Sequence, residues 1–210
     1  PDASTAEQAL AIVKKYALHL SDEALSCLEA PTPNHLSNVE THITGSVRAL
    51  CAAAQDAAQK LGFQCRMLTD CLECEAREAG RFLASIARSH QQTERPLAFF
   101  AEGETVVHLT GQGLGGRNQE LALAAAPGLR GTQNTAVCSF GSDGTDGPTD
   151  AAGGFVDQSS DAALRAAGLD VPQVLAENDA YHALQKIGGL LMTGPTGTNV
   201  NDLAMVLIWR

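Results

Sequence analysis

Residues 111–120, Gly-Gln-Gly-Leu-Gly-Gly-Arg-Asn-Gln-Glu, place four glycines between an apolar run and a helix-like run, with an arginine at the junction. Glycine enters left-handed or extended conformations and approaches a neighbour without a Cβ clash. The first turn of a following helix offers unpaired N–H groups and the positive end of a dipole. Arg117 adds a planar, permanently charged fork. Two readings follow: an anion-binding loop, or a tight strand-to-helix turn whose glycines only satisfy geometry. Both require a strand, a turn and a helix in that order.

Two further stretches have the same character. Gly141–Gly154 reads Gly-Ser-Asp-Gly-Thr-Asp-Gly-Pro-Thr-Asp-Ala-Ala-Gly-Gly, and Thr193–Asp202 reads Thr-Gly-Pro-Thr-Gly-Thr-Asn-Val-Asn-Asp. Each follows a short apolar run, Ala136–Phe140 or Leu190–Met192. In an open α/β sheet ligands bind beyond the carboxyl ends of the strands, so three such loops are expected to converge on one polar cleft.

The rest of the chain is consistent with that class. Ser4-x-x-Glu7 is a capping-box pattern opening a helix to about His19, and a short helix over Asp22–Glu29 follows. Pro31-Thr32-Pro33-Asn34 interrupts the pattern, because the residue before a proline is pushed out of the helical region. A linker is placed there, with residues 1–34 expected as a helical remnant of, or hinge to, a missing N-terminal domain and 35–210 as the main α/β domain. From Asn38 strand and helix signals alternate: Val39–Thr44 extended, Ser46–Leu61 helical with Gly62 as its stop, Phe63–Leu68 extended, and Glu75–His90 helical with Phe82, Ile86 and Leu83 inward. Leu97–Ala101 and Thr105–Leu109 flank Glu102-Gly103-Glu104, which reads as a hairpin turn. Helices are expected over Asn118–Ala126, Asp161–Ala167 and Asp179–Ile187, and strands over Ala136–Phe140, Leu190–Met192 and Met205–Ile208. The predicted fold is α/β, with a mostly parallel or mixed sheet, flanking helices and one β-hairpin.

A formal net charge of −10 argues against general nucleic-acid binding, which draws its affinity from Lys and Arg on phosphates. An anion must then be recognised locally, and Arg117 is better placed for that than Lys14, Lys15 or Lys60 on helix-like faces. No apolar run approaches the roughly 20 residues that span a bilayer. The start at Pro1 shows no basic-then-apolar secretory pattern and reads as a cut rather than a targeting segment, so a cytoplasmic protein is expected. Cys27, Cys51, Cys65, Cys71, Cys74 and Cys138 read as thiols, and Cys71-Leu72-Glu73-Cys74 lacks the second ligand pair a zinc site needs. His19, His35, His42, His90, His108 and His182 are scattered, and no G-x-S-x-G or H-E-x-x-H pattern points to a common hydrolase scheme.

Gly115–Leu123, Gly144–Gly153 and Thr193–Leu203 resemble the signatures of the MOFRL domain, the C-terminal part of bacterial-type glycerate 2-kinases, some of which are named hydroxypyruvate reductases. The similarity runs over residues 38–210. It implies phosphoryl transfer from ATP to a hydroxyl of D-glycerate, with Mg2+, in a cleft shared with an N-terminal domain whose nucleotide-handling segments would precede Pro1. On this resemblance Arg117 is assigned to a carboxylate or phosphoryl oxygen, and Asp143 and Asp146 to the substrate hydroxyl or the magnesium. Gly115, Gly116, Asn118, Thr145, Thr196, Thr198 and Asn199 are assigned to substrate positioning. The partners implied are a small hydroxy acid, a nucleotide and the missing domain, with no nucleic acid or membrane; a homo-oligomer stays open.

Two other functions compete. Gly111-x-Gly113-x-x-Gly116 matches the dinucleotide fingerprint and would support an NAD(P)H-dependent reductase, yet the acid expected about 20 residues on is absent: position 131 is Gly131 and the first acid is Asp143. A noncatalytic domain that docks and closes over a partner is the third reading. Asp143, Asp146 and Asp150 could hold magnesium jointly with phosphate or could simply support turns, and their spacing is not that of an EF-hand.

Overall fold

The computed structural model describes residues 4–30, 37–40, 42 and 45–210, which form two compact units divided between residues 44 and 45. In the first, α1 (Ala6–Lys15) and α2 (Asp22–Glu29) pack on each other. The capping box is one residue later than the sequence pattern indicated: Thr5 Oγ1 accepts from Gln8 N at 3.2 Å and Gln8 Oε1 accepts from Thr5 N at 2.8 Å. Helix α1 also stops at Lys15, short of His19. The proline linker and the 34/35 boundary lie outside the described residues. So does part of the strand expected over 39–44, and its described residues, Val39, Glu40 and His42, are not in a strand.

The second unit is a six-stranded mixed sheet with helices against it. Its elements are α3 (Val47–Lys60), β1 (Gln64–Leu72), α4 (Ala76–Ser89), β2 (Leu97–Gly103), α5 (Arg117–Ala125), a 3-10 turn (Ala126–Leu129), β3 (Thr135–Gly141), β4 (Gly153–Asp157), α6 (Ser160–Ala166), α7 (Val171–Ala176), α8 (Ala180–Lys186), β5 (Leu190–Leu191) and β6 (Asp202–Ile208). The strand order is β1-β2-β6-β3-β4-β5, and only β1–β2 is parallel. The balance is therefore antiparallel. Strand β6 inserts between β2 and β3 and runs against both. Its first residue, Asp202, pairs with Gly103 at the end of β2 and Gly141 at the end of β3, so those carboxyl ends and the entry to β6 share one edge.

The hairpin turn expected at Glu102-Gly103-Glu104 is corrected by the same insertion. Glu102 and Gly103 lie inside β2, and β6 occupies the place a hairpin partner would take. Thr105–Leu109 forms no strand, only a bridge from Val106 to Glu75. The hairpin lies elsewhere, between β3 and β4. Strand β4 begins at Gly153, inside the stretch read as a loop, because Gly153 and Gly154 sit across from β3 and β5.

The main core lies on the α4/α5 side of the sheet, where Leu83, Leu121, Leu123, Val137, Val156 and Val206 are buried. Full burial of each such side chain contributes about 1.5–3 kcal/mol. The opposite face packs α3 over Ala98, Phe100 and Leu203. Helices α4 and α5 cross so closely that a Cβ at Gly80 would stand 2.0 Å from the carbonyl oxygen of Leu121. Small residues therefore fill the inner side of α4, Ala76, Ala79, Ala84 and Ala87 around Leu83, while Phe82, expected inward, is exposed. No helix among the described residues is long and apolar enough to cross a membrane.

Candidate active site

Helix α5 is buried along nearly its whole length, including the polar Asn118, Gln119 and Glu120 of its first turn. Buried polar groups need partners, and these three recruit them from distant parts of the chain, Gln119 through its Nε2 to Asp146 O and the Thr149 hydroxyl. Asp146 closes the helix end: its Oδ1 accepts from Asn118 N at 3.1 Å and its Oδ2 from Gln119 N at 2.8 Å. A Cβ at Gly116, the N-cap position, would stand 2.3 Å from Asp146 Cγ, so only glycine admits that carboxylate. Burial pushes the Asp146 carboxyl up to about 6 and outweighs the N–H groups of Gln119 and Asn118, which favour its charged form. The helix N-terminus does receive an anion, as the glycine pattern suggested. It is the protein's own.

Arg117 opens α5 and faces two carboxylates. Its Nε and Nη2 hold the two oxygens of Asp202, the latter at 3.1 Å, and its Nη1 lies 3.1 Å from Glu104 Oε1. The bond to Asp202 leads in raising the guanidinium above its ordinary value, against the opposing effect of burial. Asp202 is nearly buried, with a side chain 10 % exposed, while Glu104 is 57 % exposed. Both entered the site through the sheet edge.

Glu120 is the third polar residue of the turn. Arg77 Nε donates to its Oε1 at 2.9 Å, and Asn178 Nδ2 donates to its Oε2 at 3.1 Å. Asn178 Oδ1 in turn accepts from Thr110 N at 2.7 Å and Gly111 N at 2.9 Å. Gly113 N donates to Glu177 O at 2.8 Å and Leu114 N to Asp179 Oδ1 at 2.9 Å. The glycine-rich segment is thus laced to the turn between α7 and α8. Its N–H groups at 110, 111, 113 and 114 are all bonded within the chain, as the tight-turn reading of that part of the segment requires.

Beside this segment lies a cleft of about 630 Å³. Val106, Val107, Leu109, Pro148 and Ala180 supply its apolar wall, and Glu104, Arg117 and Glu120 its charged groups. Its size suits a small organic ligand.

The model of the MOFRL family matches residues 97–202, just over half of the chain. This chain belongs to the MOFRL family. It is 52% identical to the D-glycerate 2-kinase of Thermotoga maritima over 99% of its own length and 51% of that protein's. It is 41% identical to the glycerate 2-kinase of Pyrococcus horikoshii over 91% of this chain and 44% of that one. A protein of Agrobacterium vitis that carries a hydroxypyruvate reductase name is 36% identical over 99% of this chain and 49% of its own. The crystal structure of a glycerate kinase from Thermotoga maritima superposes with a TM-score of 0.83 at 51% identity, covering 99% of this chain and 51% of that one. The chain spans about half the length of the curated relatives it matches.

Within this MOFRL domain the matched span begins at Leu97, the first residue of β2, and ends at Asp202, the carboxylate that holds Arg117. Of the residues singled out by sequence, Gly115, Gly116 and Arg117 line the cleft. Asn118 lies behind it, 1% exposed; its Nδ2 donates to Asp146 Oδ1, and its Oδ1 accepts from the Ser139 hydroxyl. The second and third loops are stitched to each other: Thr196 Oγ1 donates to Ser142 O at 2.6 Å, Thr196 N to Asp143 O at 3.0 Å, and Val200 N to Ser142 Oγ at 2.8 Å. Asp143 Oδ1 accepts from Thr145 N at 2.9 Å, and Asn199 Oδ1 accepts from Asn201 N at 3.3 Å, so both side chains support their own turns. Asp143, Thr145, Thr196, Thr198 and Asn199 do not line the cleft.

The three loop aspartates diverge, Asp143 to its own turn, Asp146 to α5 and Asp150 to the Tyr181 hydroxyl at 2.8 Å. Among the described residues no three His, Cys, Asp or Glu side chains come together as a metal site. All six cysteines are free thiols. Sequence reasoning missed Glu104, Glu120, Asn178 and Asp202 as site residues. Asp202 stood at the end of a quoted loop, and Glu104 was assigned to a turn. Nothing local marked Asn178.

Proposed function

We propose that this chain is the MOFRL half of an ATP-dependent glycerate 2-kinase, transferring a phosphoryl group to a hydroxyl of D-glycerate in the cytoplasm. The observation that carries the reading is the 52% identity to a D-glycerate 2-kinase sustained over 99% of the chain. Arg117 meets the carboxylate of the acid at the cleft, since a guanidinium fork matches that group in shape and charge. Asp146 serves by holding α5, and with it Arg117, in place. Magnesium arriving with nucleotide phosphates needs only one or two protein carboxylates, and Asp143, partly exposed at the loop edge, suits that task. Thr145, Thr196, Thr198 and Asn199 shape the neighbouring loops. Positioning and charge neutralisation dominate such chemistry.

The reductase name of the Agrobacterium vitis relative draws less support from the geometry. A dinucleotide fingerprint needs a strand before it and free N–H groups within it. Here Thr105–Leu109 is not a strand, and the N–H groups of Gly111 and Gly113 are bonded to Asn178 and Glu177.

A chimera in which this chain replaces the matching half of the Thermotoga maritima kinase tests the reading. It should consume ATP only when D-glycerate is present, and the chain alone should turn over negligibly, because one wall of a cleft cannot hold a donor in line. NADPH oxidation with hydroxypyruvate, without ATP consumption, would reverse the assignment.

A further inference from the structure

Arg117 is surrounded by more negative charge than it carries. Asp202 and Glu104 hold its nitrogens, and Asp146 lies close enough to raise its pKa further. The two bound carboxylates are not equivalent. Asp202 is nearly buried, takes two nitrogens of the fork, and sits at the start of β6 between β2 and β3. Removing one member of such a buried pair strands the other. Glu104 is more than half exposed, takes the single remaining Nη1, and stands at the cleft wall. An exposed ion pair of that kind contributes little and exchanges readily with solvent or ligand.

Resting on the reading that the acid's carboxylate meets Arg117, we propose that Glu104 is an internal competitor for it: a specificity residue that occupies Arg117 Nη1 until one incoming carboxylate displaces it. Asp202 stays bound throughout and keeps the guanidinium plane turned to the cleft. This arrangement selects a singly charged group. A triphosphate brought to Arg117 would meet Asp202, Glu104 and Asp146 with one cation among them, and repulsion would exclude it unless metal ions came with it. The ligand class for this position is thus a small monocarboxylate, and the nucleotide phosphates lie elsewhere.

The test needs no turnover. The Arg117 Nε–Hε resonance of the 15N-labelled chain, assigned by its loss in Arg117→Lys, is titrated with D-glycerate and separately with acetate. Glu104→Gln keeps the side-chain shape, removes the competing charge, and should move the glycerate midpoint to about two- to fivefold lower concentration, the range an exposed ion pair spans. Asp202→Asn should shift the free resonance itself and weaken the response. A glycerate midpoint that is the same or higher in Glu104→Gln overturns the competitor role while leaving glycerate binding intact. Equal tightening for acetate and glycerate supports the competitor role but removes support for glycerate as the particular acid. No response of Arg117 to either acid in either protein overturns both.

Discussion

Asp146 lies 28 residues beyond Asn118 in the chain, yet one of its carboxylate oxygens accepts from both the backbone N–H and the side-chain amide of Asn118, at 3.1 and 3.2 Å. A helix is usually capped by the residue just before it. Here Gly116 has no side chain to offer, and the cap is delivered by another loop. The start of α5 and the loop after β3 therefore hold or fail together.

Asp146→Ala removes the acceptor for two backbone N–H groups and one amide, all buried. Each of the three stranded donors costs roughly 1–3 kcal/mol, so a loss of at least about 3 kcal/mol is expected. Urea denaturation checks it. A change below half a kilocalorie would mean that water or another side chain replaces the carboxylate.

The same carboxyl confers a pH signature. Its folded-state pKa is raised from 3.8 to about 6, so its contribution to stability is fully present below pH 3.8 and is lost as pH rises through about 6. Asp146→Asn cannot titrate there. The stability of the wild-type chain relative to Asp146→Asn should fall between about pH 4 and 6.5, by up to roughly 3 kcal/mol. A difference that is flat across that range, or that grows with pH, contradicts the raised value.

Arg117→Lys keeps the charge but loses the fork that holds Asp202 and Glu104. In the chimera kcat/KM for D-glycerate should drop by about tenfold to a hundredfold, the equivalent of roughly 1.5–3 kcal/mol, far more than for Arg165→Lys on the surface. Because Asp202 is nearly buried, a fall in stability of about 1–2 kcal/mol should accompany the kinetic loss. Unfolding with normal kcat/KM in the folded fraction would make Arg117 a brace and no more.

Gly80→Ala sets two effects against each other. Alanine favours a helix interior over glycine by about 1 kcal/mol. Its Cβ, however, would stand 2.0 Å from the Leu121 carbonyl oxygen and 3.2 Å from the Ala124 Cβ. Overpacking against backbone costs about 1–3 kcal/mol or more, so the variant should melt at a lower temperature. A higher midpoint would show that α4 can shift away from α5 at little cost.

Local chemistry made much of the scaffold legible. Ser46 caps α3, and Gly62, at φ 89°, ends it, as the pattern of small polar residue, apolar stripe and glycine indicated. The extents of α2 and α3, with Ser21 and Ser46 as their caps, follow from such signals, because capping and periodicity are properties of neighbouring residues. The three glycine-rich motifs were enough to point to the MOFRL family, and Arg117, read as standing at the junction before a helix from Asn118, is the first residue of α5.

What only the tertiary structure decided are the pairings between segments far apart in the chain. No residue near Gly103 announces that β6, entering at Asp202, will lie beside it; that insertion replaces the hairpin expected at Glu102–Glu104 and makes most of the mixed sheet's pairings antiparallel. The candidate site follows the same rule. Arg117 was visible as a charge, but whether that charge is free depends on Asp202, 85 residues away, and on Glu104 at the rim. Local propensity acts over a turn of helix or a pair of strand residues, whereas the partner of a buried charge is chosen by whichever chain segment the packed sheet brings within about 3 Å.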